Sequence, residues 1–261
     1  MALEPIQYAL GGISGALVGF ILALVGGGGS ILAVPLIVYL VGVTNPHLAI
    51  GTSALAVAAN AATGLVNHAR AGHVLWRCAG LFAVAGVVGA AIGSTAGKAI
   101  DGQKLLFLFA LVMIVVGILM LRRRNMAGNS DVRLGRENAG KLAIYGLGAG
   151  TFSGFFGIGG GFLIVPGLVA ATGMRMINAV GSSLVCVTAF GLTTAANYAL
   201  SGLVEWWLAL VFLLGGVVGS LAGTTASKRL HGAGQLPTVF AAIIFVVAAY
   251  MLWQSGRTWA L

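Results

Sequence analysis

Acidic side chains are nearly missing from this sequence. Asp and Glu number 5 against 14 Lys and Arg in 261 residues, and charged residues make up 7% of the chain. A soluble domain carries roughly 25% charged residues, so there is too little polar surface here to face water. The acids present, Glu4, Asp101, Asp131, Glu137 and Glu205, stand at the ends of apolar runs or between them. No Lys or Arg falls in the middle of a run either. Cation and proton pumps keep ionisable groups inside the bundle, so a carboxylate proton relay and a metal-cation path are both disfavoured. No Ser/His/Asp, paired-Asp or His–Glu constellation occurs within the runs. Hence no catalytic residue, metal site or cofactor is expected, and the chain does not read as an enzyme. Cysteine is as scarce: Cys78 and Cys186 are far apart in apolar sequence, which fits small buried thiols and no disulfide framework.

What is present is apolar. Hydrophobic residues are 59% of the chain and the mean hydropathy is +1.04. The runs extend into the C-terminal half, so a cleaved signal peptide does not explain them, and Met1 to Gln7 lacks the basic start of one. The net charge of +9 invites a nucleic-acid reading. Six of the 14 basic residues, however, lie in one polar stretch from Arg122 to Lys141, without aromatic interleaving. Basic residues in short loops orient membrane proteins, with contact to anionic lipid as a secondary effect. The expected surroundings are a lipid bilayer, with no nucleic-acid partner.

Helical spans need roughly 20 apolar residues. Ten segments emerge: Ile6–Val25, Ser30–Val43, His47–Asn67, Cys78–Ala99, Lys104–Leu121, Leu142–Phe156, Gly161–Thr172, Asn178–Tyr198, Trp207–Ser227 and Gln235–Gln254. Residues 1–121 form a first membrane repeat, 122–141 a basic cytoplasmic connector and 142–261 a second repeat. The halves match in detail. Gly26-Gly27-Gly28-Gly29-Ser30, with Pro35, returns as Gly157-Ile158-Gly159-Gly160-Gly161, with Pro166. One gap later, Gly51-Thr52-Ser53 falls on Gly181-Ser182-Ser183, Asn67 on Asn197, Trp76 on Trp206, Gly86 on Gly216 and Lys98 on Lys228. Matches held in one register argue for duplication rather than shared composition.

Loop charges give orientation. With the connector inside, the inner loops collect Arg70, Arg77, Arg122, Arg123, Arg124, Arg133, Arg136, Lys141, Arg175, Lys228 and Arg229, leaving Lys98, Lys104 and Arg257 outside. Equivalent loops trade sign between halves, as expected if the halves insert upside down relative to one another. The predicted fold is therefore an all-α polytopic membrane protein built as an inverted repeat. Each half has three long transmembrane helices plus a glycine-broken short helix pair, giving eight to ten hydrophobic segments in all. Ser30–Val43 as a helix covers about 21 Å against a core of roughly 30 Å. Each pair either crosses twice or enters and turns back at the glycines.

Backbone breaks at membrane depth are tolerated only in protein or beside a cavity. The helix after each break points free N–H groups and its positive dipole end at the glycines, a geometry that binds anions without a charged side chain. The candidate substrate site is thus Gly26, Gly27, Gly28, Gly29 and Ser30 with Gly157, Gly159, Gly160 and Gly161. Close helix packing through small residues is the competing explanation. Pro35 and Pro166 each free a carbonyl about one turn earlier. Thr52, Ser53, Ser182 and Ser183 offer hydroxyls to a substrate oxygen or bond their own helix. Asn67 and Asn197 contact substrate or cap a helix end. His68, replaced by Tyr198 in the repeat, is an interfacial histidine or a proton-linked one. A site of amides and hydroxyls suits a compact oxyanion.

The doubled Gly-x-Gly-Gly-Gly with its downstream Val-Pro and Gly-Thr/Ser-Ser resembles the TauE/SafE family of sulfite and organosulfonate permeases, over nearly the whole chain. The first copy departs from the second at Ser30, which stands where the second has Gly161. The resemblance implies a transporter in the bacterial inner membrane, an exporter of small anions such as sulfite, organosulfonates or related organic acids. A passive anion channel, or a membrane enzyme or scaffold without transport, are the alternatives.

Overall fold

The structure is a computed structural model and describes residues 3–25, 27–122, 135–230 and 236–259. Gly26 and residues 123–134 of the connector therefore lie outside it. Every element among the described residues is helical: α1 (Pro5–Val25), a 3-10 turn (Gly27–Leu32), α2 (Ala33–Pro35), a π turn (Leu36–Leu40), α3 (Pro46–Arg70), α4 (Trp76–Ala99), α5 (Gly102–Arg122), α6 (Arg136–Phe156), α7 (Gly161–Thr172), α8 (Met176–Ala199), α9 (Trp206–Leu230) and α10 (Leu236–Trp259). Among the described residues, five helices contain stretches long and apolar enough to cross a membrane: Pro5–Leu22, Pro46–Arg70, Trp76–Ala99, Met176–Ala199 and Trp206–Gly223. Gly29–Leu40, Gly102–Ile118, Gly161–Thr172 and Ala241–Ser255 are shorter apolar stretches.

Local chemistry sets several boundaries. The Asn45 side chain accepts from His47 N and Leu48 N, and Pro46 occupies the first turn, so α3 starts there. Helix α6 begins at Arg136, within the stretch that the sequence assigns to the connector. Asn138 Oδ1 accepts from Gly135 N at 2.9 Å and satisfies a donor ahead of its first turn. The outer surface is apolar, with Ile144 74%, Val246 70% and Val84 68% exposed, as a surface facing lipid tails requires. Trp76 and Trp206 are exposed where α4 and α9 begin, as in an interfacial aromatic belt.

Two glycine seams hold the bundle. On one, Gly15 and Gly19 of α1 press on the main chain at Phe212 and Gly216 of α9, while Gly215 and Gly219 press on Gly12 and Ala16. On the other, Gly86, Gly89, Gly93 and Gly97 of α4 meet α6 at Gly146, Leu147, Thr151 and Phe155. A β-carbon at any of these glycines except Gly12 and Gly216 would strike its neighbour's backbone, and one at Gly216 would strike the Asn60 side chain. Small residues let transmembrane helices approach to that distance. Numbering rises together along each seam, so both pairs are parallel. Helices α3 and α8 instead cross antiparallel: Gly51 faces Leu203 and Tyr198, Ala58 faces Gly191, and Gly64 faces Leu184.

Each glycine cluster turns the chain back. Gln7 Nε2 donates to Val41 O at 3.1 Å, so the strand of chain after the first break returns to the level where α1 began. After the second, Gly160 lies against Ser153 and Gly167 against Tyr145, so α7 runs back along α6. The turn after α6 and the 3-10 turn after α1 bring α7 and that 3-10 turn into contact inside the bundle.

Candidate functional site

The second break is an open loop. Helix α6 stops at Phe156, and Gly157, Gly159 and Gly160 take φ of +67°, +65° and +65°, a region open to glycine and strained for other residues. Ile158 between them is fully buried and anchors the loop. Three backbone bonds close it: Gly157 N to Ser153 O at 2.9 Å, Leu163 N to Gly160 O at 2.9 Å and Ile164 N to Gly160 O at 3.0 Å. The amides of Ile158, Gly159, Gly160, Gly161 and Phe162 make no such tertiary bond among the described residues. The first turn of α7, a regular 12-residue helix, aims its dipole at the loop. A β-carbon on Gly159 would lie 2.9 Å from Val57 Cγ1 and 3.0 Å from Val187 Cγ1. Those valines stand about halfway along α3 and α8, so the loop sits at mid-depth of the bundle.

The first break is coiled on itself. Gly27–Leu32 winds as a 3-10 helix, α2 lasts three residues, and the π turn follows Pro35. Proline lacks the donor that would continue the α register, and the wider turn closes through Val41 N to Leu36 O at 3.0 Å. Gly29 is pressed onto Leu22, whose main-chain N would lie 2.6 Å from an added β-carbon. Ser30 is fully buried. Pro166 sits inside α7 in the corresponding place.

Three of the four hydroxyls expected near substrate make tertiary bonds, and Ser183 bonds its own helix. Thr52 Oγ1 accepts from Glu205 N at 2.9 Å, and its repeat equivalent Ser182 Oγ accepts from Leu75 N at 2.9 Å. Each pins an interhelical loop onto the start of the facing helix. Ser53 Oγ donates to Ile50 O at 2.9 Å and reaches Gly157 O at 3.3 Å, tying α3 to the second break. Ser183 Oγ donates to Val180 O at 2.8 Å.

The two asparagines part company. Asn197 accepts from Lys98 Nζ at 2.8 Å through Oδ1 and donates to Ser94 Oγ at 2.6 Å and Thr95 Oγ1 at 2.9 Å. Lys98 also reaches Ser201 Oγ at 2.8 Å and borders a cavity of about 600 Å³ with His47 and Asp101. Asn67 is exposed near the end of α3. His68 lies 5.5 Å from His73, ring to ring. No cluster of three metal-ligating side chains occurs among the described residues.

Ser153 and Asn60, which sequence reasoning passed over, are buried without partners. Ser153 is 1% exposed, and its Oγ would lie 3.1 Å from a β-carbon on Gly160. Asn60 is 5% exposed, neither amide atom is bonded, and it lies over Gly216 of α9. In the repeat register Ser153 falls on Leu22 and Asn60 on Phe190. The signal was there as places where the halves differ in polarity.

Residues 12–251 match the family described as "Sulfite exporter TauE/SafE". A "Probable membrane transporter protein" of Xylella fastidiosa (strain 9a5c) is 50% identical over 100% of this chain and 98% of its own length. "Probable membrane transporter protein YunE" of Bacillus subtilis (strain 168) is 26% identical over 84% of this chain and 88% of its own. A "Probable membrane transporter protein" of Haemophilus influenzae is 26% identical over 91% and 95%. No solved structure matches the chain.

Proposed function

The chain belongs to the sulfite exporter TauE/SafE family, and from that premise we propose that it is a secondary transporter exporting small anions such as sulfite, organosulfonates or related organic acids. It is a multi-pass membrane protein. The observation that carries the anionic part of the reading is the second break. Main-chain amides that make no backbone bond stand beside the positive end of α7 at mid-depth, in a stretch without an acidic side chain. Such a site favours a negative ligand and is built as in transporters whose broken helices meet near the membrane midplane. It calls for transport rather than catalysis, and for no cofactor.

In the same reading residues 1–121 and 142–261 are inverted repeats joined by a cytoplasmic connector, 122–141. The antiparallel crossing of α3 with its equivalent α8 supports that inversion. So does the exchange of partners, α1 with α9 and α4 with α6. The glycines of both breaks, with Ser30, Pro35 and Pro166, are assigned to the substrate path.

The test is a flux screen of purified protein in liposomes with sulfite, sulfate, thiosulfate, sulfoacetate and small carboxylates. Saturable movement of at least one anion is expected. Flux of none would overturn the proposal, and a very high unitary rate indifferent to a proton gradient would turn it into a channel.

A further inference from the structure

We infer that the two glycine breaks are unequal and that Ser153 is the side chain that holds the anion, at the second one. The inference rests on the transport reading above and deepens it. A helical serine ordinarily donates to a carbonyl three or four residues back. In this protein Ser53, Ser94, Thr151 and Ser183 all do so. Ser153 does not, although it is 1% exposed. Leaving a buried hydroxyl unbonded costs free energy that folding does not recover, so a donor held free in this way is available to a ligand.

Its position names the ligand's seat. Ser153 lies beside Gly160, which immediately precedes the first turn of α7. Hydroxyl and amides are thus neighbouring donors, and the glycines remove the β-carbons that would separate them from an oxygen atom. Ser14 and Thr194 are also buried without partners, but neither is among the nearest neighbours of Gly29, Gly157, Gly159 or Gly160. At the first break the corresponding residue is Leu22, whose main chain lies against Gly29. The ligand is therefore an oxyanion, with one oxygen accepting from the Ser153 hydroxyl and the α7 amides.

The experiment uses the full-length protein in detergent and in liposomes, with sulfite as the probe. Ser153→Ala is expected to raise the apparent Kd for sulfite about ten- to a hundredfold, the effect of losing one hydrogen bond to a charged group. Ser153→Cys, a weaker donor, should fall between. Without sulfite, Ser153→Ala should melt at the wild-type temperature or above it, since an unbonded polar group has been removed. A serine with a purely structural role would move the other way. Sulfite binding by Ser153→Ala as tight as wild type overturns the inference, and so does a loss of ligand-free stability. If wild type carries sulfite and the variant matches it, this assignment alone fails. If wild type neither binds nor carries any anion of the screen, the transport reading fails and this one with it.

Discussion

The two breaks carry nearly the same letters and make different backbones. The first runs four glycines together and coils into a 3-10 helix, a three-residue α-helix and a π turn. The second places Ile158 among its glycines and opens into left-handed turns before a regular 12-residue helix. Ile158 accounts for the difference. Its side chain is fully buried, and fixing it in the core forces the flanking glycines to absorb the change of direction. A run of glycines without such an anchor has nothing to hold it open. Glycine makes a break possible, and its neighbours decide its shape.

That comparison can be broken in several places. The largest effect is expected at Gly159→Leu, which puts a branched side chain at φ +65° between Val57 and Val187. Anion flux in liposomes should vanish while the protein still reaches the membrane fraction; wild-type flux would remove the second break from the substrate path. Next comes an all-or-none test of whether the two breaks approach from opposite faces. Ala71→Cys and Leu200→Cys, both exposed, should react with an impermeant maleimide from opposite sides, whereas the native cysteines are buried. Labelling from one side would end the inverted reading.

Ile158→Ala removes the anchor and should lower stability by about 2–5 kcal/mol, as for other buried isoleucines, with a fall in flux. Thermal unfolding in detergent checks it, and a stable, active variant would show that Ile158 does not hold the loop. The smallest effects serve as a control. Thr52→Val and Ser182→Ala remove equivalent bonds and should each cost about 1 kcal/mol. Unequal losses would mean that the asymmetry extends beyond the breaks.

Much of the fold was legible because the apolar runs have the length of helices. The span Gly161–Thr172 coincides with α7, and α1 differs from its expected span by one residue. The interior of Ser30–Val43 was not legible. A 3-10 or π register follows from where Pro35 leaves a carbonyl unpartnered and from what packs around it, and apolar composition is silent on both. Within the candidate site, the glycines were visible through their repetition. Ser153 and Asn60 were not, since a hydroxyl or amide in an apolar run looks the same whether it packs or waits for a partner. Thr52 and Ser182 illustrate the converse: chemistry that suits a substrate also suits a loop amide, and only tertiary geometry assigned them to the loops.

The glycine seams have a consequence for how the protein is made. Gly12, Gly15 and Gly19 of α1 find their partner surface on α9, at Phe212 to Gly219. At about 5–20 residues per second of synthesis, α9 follows α1 from the ribosome by roughly ten to forty seconds. For that interval the most closely fitting face of the first helix is bare in the membrane, open to any other helix with small residues. The first half alone lacks the surface its glycines were shaped for. Halves expressed as separate chains should therefore accumulate only when made together, and a nascent first half is the stage at which a membrane chaperone would matter most.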